Sequence, residues 1–253
     1  HQLTSYLAHD SAVTMPSGKL ILILDGVWFQ FQDARWIIYL LAVRPIRSAV
    51  ATFLDPVFLP GRESLNSWQE VLKQMPQNVK KRIVAMVADG FRGGDTLAAE
   101  QGWAFQRCHF HLIAELYRMR GVGKRVQHPK IREAIYQIVR EALETTDHRR
   151  LAELIRILHR LALHPHCPHW MGMRGREFLR HIDDFRAYQN HPELRLPSTT
   201  NTVESMGRTI RDVVRRSHGF RTPRSLRQWI TAQLRICPTR TCNPKIFPKI
   251  STN

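Results

Sequence analysis

Apolar residues recur with two different periods along this chain, and the change from one to the other divides it. KLILILDGVWFQF (19–31) is a run of β-formers interrupted by Asp25-Gly26. RWIIYLLAV (35–43) follows after the polar Gln32-Asp33-Ala34, and AVATFLDP (49–56) is a third apolar run closed by Asp-Pro. These predict three sequential strands joined by short connections, a meander. Leu65, Trp68, Val71, Leu72 and Met75 then fall at helical spacing, with Ser64 available as a cap. KRIVAMVADG (81–90) is continuously apolar, as expected of a strand buried on both faces. GDTLAAEQ (94–101) predicts a short helix, and WAFQRCHFHL (103–112) a strand running into another helix. The order predicts an α/β fold with a mixed sheet and flanking helices. Trp28, Trp36, Trp68 and Trp103 are expected in its core.

Beyond residue 112 the period becomes helical. LIAELYRM, KIREAIYQIVREALE, RRLAELIRILHRLAL and GREFLRHIDDFRAY carry Ile, Leu and Val at three- and four-residue spacing, and HPHCPH (164–169) breaks the run. PELRLPSTTN (192–201) reads as a loop, after which helices resume at 202–216 and 223–236. The expected division is therefore a remnant at 1–18, the first part of an α/β domain at 19–112 and an all-helical insertion at 113–198. The domain is completed at 199–236, and a basic, proline-bearing tail at 237–253 is expected to be poorly ordered. The first residue is His1 rather than Met, which predicts an upstream part in a longer protein.

Charge changes the picture. The net charge is +17, and residues 204–253 hold eleven Lys/Arg against two acids, whereas residues 1–100 hold ten against nine. A basic folded surface points to a polyanion, most often nucleic acid; the other reading is a cationic surface without a specific partner. Arginine outnumbers lysine, which suits phosphate recognition. Four cysteines in 253 residues make no disulfide framework and favour a reducing compartment. No apolar run reaches the ~20 residues of a membrane span.

Three acids stand out against this background. Asp25 lies within an apolar strand, where an uncompensated charge is costly. Asp89 ends another strand, where ligands of α/β sheets collect. Each precedes a glycine, and Asp-Gly alone is equally turn chemistry. Glu204 opens a helix whose same face, within about 40°, carries Arg208, Arg211 and Arg215. Taken alone, Glu204 is explained by the helix dipole and a pair with Arg208. Taken together, the three carboxylates would suit a site for hard divalent cations flanked by phosphate contacts.

The combination of LILILDG (Asp25), IVAMVADG (Asp89), QRCHFH (Cys108-x-x-His111) and TTNTVES (Glu204), in that order, resembles the DDE transposases of the Mutator-like type, including bacterial insertion-sequence relatives. The long interval of 115 residues between Asp89 and Glu204 fits the same group. The resemblance implies an RNase H-like fold and Asp25, Asp89 and Glu204 as catalytic ligands of two Mg²⁺ (or Mn²⁺) ions. It further implies nicking of transposon ends and strand transfer into target DNA, with a homodimer or higher oligomer bringing two ends together. Cys108 and His111 would serve structure and positioning, and Asn201 would cap the helix or orient the site. Arg208, Arg211, Arg215, Arg216 and Arg221 are candidate DNA contacts. The implied compartment is the nucleoid-bearing cytoplasm for a bacterial element and the nucleus for a eukaryotic one. Members of this type usually carry a DNA-binding segment upstream, and only 24 residues precede Asp25.

Several alternatives stay open at this point. Cys108-x-x-His111 reads as local packing and hydrogen bonding, as half of a zinc site completed by His164, His166, Cys167 and His169, or as a nucleophilic cysteine. Trp170 is available to stack on a base, or belongs to an ordinary exposed turn. A non-catalytic DNA-binding derivative and another RNase H-like nuclease, such as a junction-cleaving enzyme, remain as rival functions.

Overall fold

The computed structural model describes residues 14–31, 34–121, 126–216, 220 and 222–242. Strand β1 (Leu20–Phe31) pairs along its whole length with β2 (Ala34–Pro45) in an antiparallel hairpin, from Leu20 opposite Pro45 to Phe31 opposite Ala34. Two short strands lie on β2, the first within the third apolar run and the second, which that run did not predict, just beyond it. β3 (Val50–Phe53) pairs at Ala42 and Val43, and β4 (Val57–Pro60) pairs from Trp36 to Tyr39. Asp55-Pro56 separates them, as a proline that cannot donate to a ladder should. Next come α1 (Leu65–Lys73), α2 (Gln77–Lys80), β5 (Ile83–Ala88), α3 (Gly94–Gln101) and β6 (Ala104–Arg107). Ser64 caps α1 as expected, with its hydroxyl accepting from the Ser67 amide.

β5 runs parallel to β1, and β6 parallel to β5, so the sheet order is β6-β5-β1-β2-β3-β7. A three-strand meander extended by parallel strands and flanked by helices is the expected RNase H-like architecture. The last strand, β7 (Thr239–Thr241), corrects the reading of 237–253 as a poorly ordered tail. Its two β-branched threonines pair with the free edge of β3, and Cys242 is buried with the Thr202 hydroxyl donating to its sulfur at 3.1 Å. The remainder of that tail, 243–253, lies outside the described residues.

Alternation along β1 separates two cores. Leu20, Leu22 and Leu24 face Trp68, Leu72 and Leu97 of α1 and α3. Ile21, Ile23 and Val27 face Val203, Met206 and Ile210 of α10 (Asn201–Arg216) and Leu226 and Ile230 of α11 (Pro223–Ile236). Trp28 belongs to the first face but lies beyond the helices that cover it. It is 61% exposed, with the Arg35 guanidinium 5.5 Å from its ring centroid, which corrects its placement in the core. Gly207 lets α10 approach the sheet: a Cβ there would lie 2.9 Å from Val27 Cγ2.

Between β6 and α10 lie α4 (His109–Arg120), α5 (Pro129–Glu144), α6 (His148–Ala162), α7 (His169–Arg180), α8 (Ile182–Phe185) and α9 (Ala187–Asn190). Leu116, Ile135, Val139, Leu143, Leu154, Leu158 and Phe178 make a third core among them. α7 starts at His169, within the histidine-rich break itself. Gln106 joins this helical segment to the sheet, with its side chain donating to Phe185 O at 2.9 Å and accepting from the Tyr188 amide at 2.8 Å. Where the segment begins and ends, the His109 amide donates to Ser198 O at 2.8 Å.

Candidate active site

The register of the two central strands positions the first two acids. Leu22 pairs with Met86 and Ile23 with Val87. Two residues further on, the same register sets Asp89, just past the end of β5, beside Asp25 in the middle of β1. Both acids follow the phase of Ile23 and Val87, the face covered by α10. Asp25 is 7% exposed, and among the described residues no hydrogen bond reaches its carboxylate. His111, in the first turn of α4, completes the group: the ligand atoms of Asp25, Asp89 and His111 all lie within 4.8 Å of one another.

Glu204 stands in the first turn of α10, half-buried, with Arg208 Nη2 3.9 Å from its carboxylate. It lies outside the 4.8 Å group but within the same field, since burial raises its pKa and His111, Arg208 and Arg211 act against that rise. Arg208, Arg211, Arg215 and Arg216 are exposed on α10, with Arg215 paired to Asp212 at 3.5 Å; Arg221 lies outside the described residues. Asn201 is the first residue of α10, and its side chain makes no hydrogen bond among the described residues. The turn is closed one residue earlier, by Thr200 O accepting from the Glu204 amide at 3.0 Å.

Cys108 explains how Glu204 is held. Its buried sulfur accepts from both the amide and the hydroxyl of Thr200, each at 3.3 Å, while its own amide donates to Ala88 O at 2.7 Å. The residue therefore ties the end of β5, next to Asp89, to the start of α10. Neither Cys108 nor His111 meets the 164–169 histidines in any metal-ligating group among the described residues, so the zinc reading is not assembled. His164 and His166 instead lie ring to ring, with His128 stacked on His166. A Cys108→Ala variant should lose both Thr200 bonds and melt lower by about 1–3 kcal/mol of stability. Cys108→Ser, which keeps an acceptor, should recover part of that loss; equal denaturation midpoints for both variants and the parent would contradict this role.

One acid escaped the motif reading. Glu63 precedes the α1 cap, accepts a hydrogen bond from Trp68 Nε1 at 2.8 Å, and lies so close to Gly26 that a Cβ there would sit 2.8 Å from Glu63 Oε1. With Asp89, Arg107 and His111 it lines a cavity of about 230 Å³. No periodicity marks Glu63; the glycine after Asp25 was the one available signal that something approaches the strand.

Burial, reinforced by Asp89, pushes the Asp25 and Glu63 carboxyls up to about 7 from ordinary values of 3.8 and 4.5. At His111, burial works to lower the pKa, but the Cys108 sulfur, Asp25 and Asp89 outweigh it and raise the pKa. The folded chain thus holds more protons than the unfolded one between pH 4 and 7. The stability these two acids contribute is complete below about pH 4 and lost as pH rises through 7. A divalent ion binding the group must displace those protons. Stabilisation by a fixed concentration of Mg²⁺ or Mn²⁺ should therefore grow from pH 6 to pH 8, with affinity falling roughly tenfold per pH unit per proton displaced below 7. Differential scanning fluorimetry at the two pH values measures it, and an ion-induced shift indifferent to pH would exclude the carboxyls as ligands. The buried Asp25 carboxylate, the half-buried Asp89, whose Oδ1 also accepts from the Phe91 amide at 3.2 Å, and one imidazole form a donor set that Mg²⁺ or Mn²⁺ fits.

No helix among the described residues is long and apolar enough to cross a membrane. No curated protein matches the chain. A family model described as Transposase, Mutator family matches residues 57–236, a span that contains Asp89, Cys108, His111 and Glu204 and begins after Asp25. With well over half of its length inside that match, the chain belongs to the Mutator family of transposases.

Proposed function

We propose that the chain carries the catalytic centre of a DDE transposase, which nicks transposon ends and joins the freed 3′-hydroxyl to target DNA. The observation that carries this reading is the convergence of Asp25 from the middle of β1, Asp89 from just past β5 and His111 from the first turn of α4, around a buried carboxylate with no hydrogen bond among the described residues. Asp25, Asp89 and Glu204 would hold two Mg²⁺ (or Mn²⁺) ions. When bound, such ions supply Lewis-acid polarisation of the scissile phosphate and activation of the attacking oxygen.

The protein's own part is placement. Asp25 and Asp89 form a floor fixed by strand register, and Glu204 closes the site from α10 under the hold of Cys108 on Thr200. His111 and the α10 arginines lower the repulsion among the carboxylates, and the exposed guanidiniums of Arg208, Arg211, Arg215 and Arg216 are oriented to meet phosphates. Two ends must be processed together, so a dimer or higher oligomer is the working form on DNA.

The test is incubation with Mg²⁺, a target plasmid and a duplex carrying the terminal sequence that flanks this chain's own gene. Joined products that disappear with Glu204→Gln support the reading. Cutting of branched DNA without joining would instead identify another RNase H-like nuclease. Binding with neither would leave a DNA-binding derivative.

A further inference from the structure

A second, larger cavity adjoins the carboxylate group. It encloses about 630 Å³ between the loop after β5 and the exposed face of α7, and shares Gly90, Arg107 and Glu177 with the smaller one. Arg92 enters it from the loop, and Met173, Arg176 and Arg180 from the helix. Arg92 and Arg180 are exposed and make no hydrogen bond or ion pair among the described residues. The groove's glutamate is already engaged, since Glu177 pairs with Arg107 at 3.4 Å and with Arg174. Asp95 also lines the groove, with Oδ1 accepting from the Thr96 amide at 2.9 Å. Arg107 and the Arg174–Glu115 pair, at 2.7 Å, brace the wall that separates groove from carboxylates.

One stripe of α7 then acquires a meaning. Trp170, Met173, Arg176 and Arg180 recur at spacings of three, three and four, so they share one helical face. Trp170 is 67% exposed and Met173 38% exposed. An indole and a thioether in solvent, followed on the same face by Arg176, whose Nη1 donates to Ala162 O at 3.1 Å, and by the exposed Arg180, match the two demands of a nucleic-acid strand: a π-surface for a base and cations for its backbone. A paired base offers no free face to Trp170, so the stripe selects an unpaired one.

We infer that the groove between α7 and the β5–α3 loop binds a single-stranded DNA segment beside the cleavage position, with phosphates on Arg92, Arg176 and Arg180 and a base stacked on Trp170. The inference rests on the transposase reading for the identity of the strand. The groove lies beside the carboxylate cavity across the wall of Arg107 and Glu177 that lines both, so a strand lying in it runs next to the site.

The experiment measures anisotropy of a fluorescent single-stranded oligonucleotide, the same strand with abasic residues, and the blunt duplex, all in EDTA so that no cleavage contributes. Trp170→Ala should weaken the single strand roughly 5- to 100-fold and should not distinguish it from the abasic strand, as wild type does. Arg92→Ala/Arg180→Ala should reduce the salt dependence of single-strand binding by about 1.4 in log–log slope, the value for two lost phosphate contacts. All three positions are exposed, and circular dichroism checks that the variants fold. Unchanged single-strand binding, or an equal loss on duplex and abasic DNA, overturns the groove assignment. If the variants bind poorly while wild type neither cuts nor joins, the groove stands and the catalytic reading fails. If they bind normally while wild type cuts, the reverse holds.

Discussion

Asp25→Asn should abolish strand transfer and, in the same molecule, raise the melting temperature. The two effects have one cause. Asp25 is buried without a hydrogen-bond partner among the described residues, and its carboxyl is pushed up to about 7 by burial and by Asp89. Holding it ionised at pH 8 therefore costs the metal-free protein up to ~4 kcal/mol, at 1.36 kcal/mol per pKa unit. The isosteric amide removes that charge, so the variant in EDTA should melt roughly 5–10 °C higher at pH 8. Near pH 4 the advantage should vanish, because the native carboxyl is then protonated in the folded chain. Activity should move the opposite way by at least ~10³-fold, because electrostatic stabilisation worth several kcal/mol at the scissile phosphate depends on this ligand. Thermal melts at both pH values and a joining assay measure both arms. A variant that is inactive but no more stable would mean that Asp25 is satisfied by a partner in solution, and an active variant would remove it from the site.

Gly207→Val should cost about 10²-fold in joining rate without touching any acid. A glycine in a helix interior is normally destabilising by roughly 0.5–1 kcal/mol relative to alanine, so side chains there usually help. Here the sign reverses, because even a Cβ would lie 2.9 Å from Val27 Cγ2 on the adjacent strand. α10 must retreat, at ~1–3 kcal/mol of overpacking. Glu204 rides on the same helix three residues earlier, and a displacement of about 1 Å at a reacting centre costs on the order of 10²-fold. Gly207→Ala should fall between the two. Parallel rate and DNA-affinity measurements separate a moved glutamate from lost binding, since the arginines project away from the sheet. Wild-type rates in Gly207→Val would show that α10 position is not critical.

The acids on the sheet were legible because strand chemistry is local. The apolar runs around Asp25 and Asp89 predict strands, and once those strands pair in parallel the period of two places both carboxylates on one face. Long-range packing was not legible in the same way. Trp28 carries the same alternation as Leu24, and only the length of the covering helices decides that it is exposed. Glu63 joins the site because α1 docks on the reverse face of β1, which no spacing encodes. Cys108 stood out by its spacing to His111, but its partner Thr200 is 92 residues away. The composition of the last segment, basic and rich in proline, concealed two β-branched threonines that needed only a free sheet edge.

The meeting of His109 with Ser198, and of Cys108 with Thr200, has a consequence for how much the chain between them can vary. The helical excursion departs and returns at one point, so the ends of β5 and α10 are held together whatever the length of the chain between α4 and α9. Loop-closure entropy grows only with the logarithm of length, about 0.6 kcal/mol per doubling. Lengthening or shortening a loop of the excursion beyond α4 should therefore cost little in the placement of Glu204 against Asp89, because the closure is made by Cys108 and His109 rather than by the chain between.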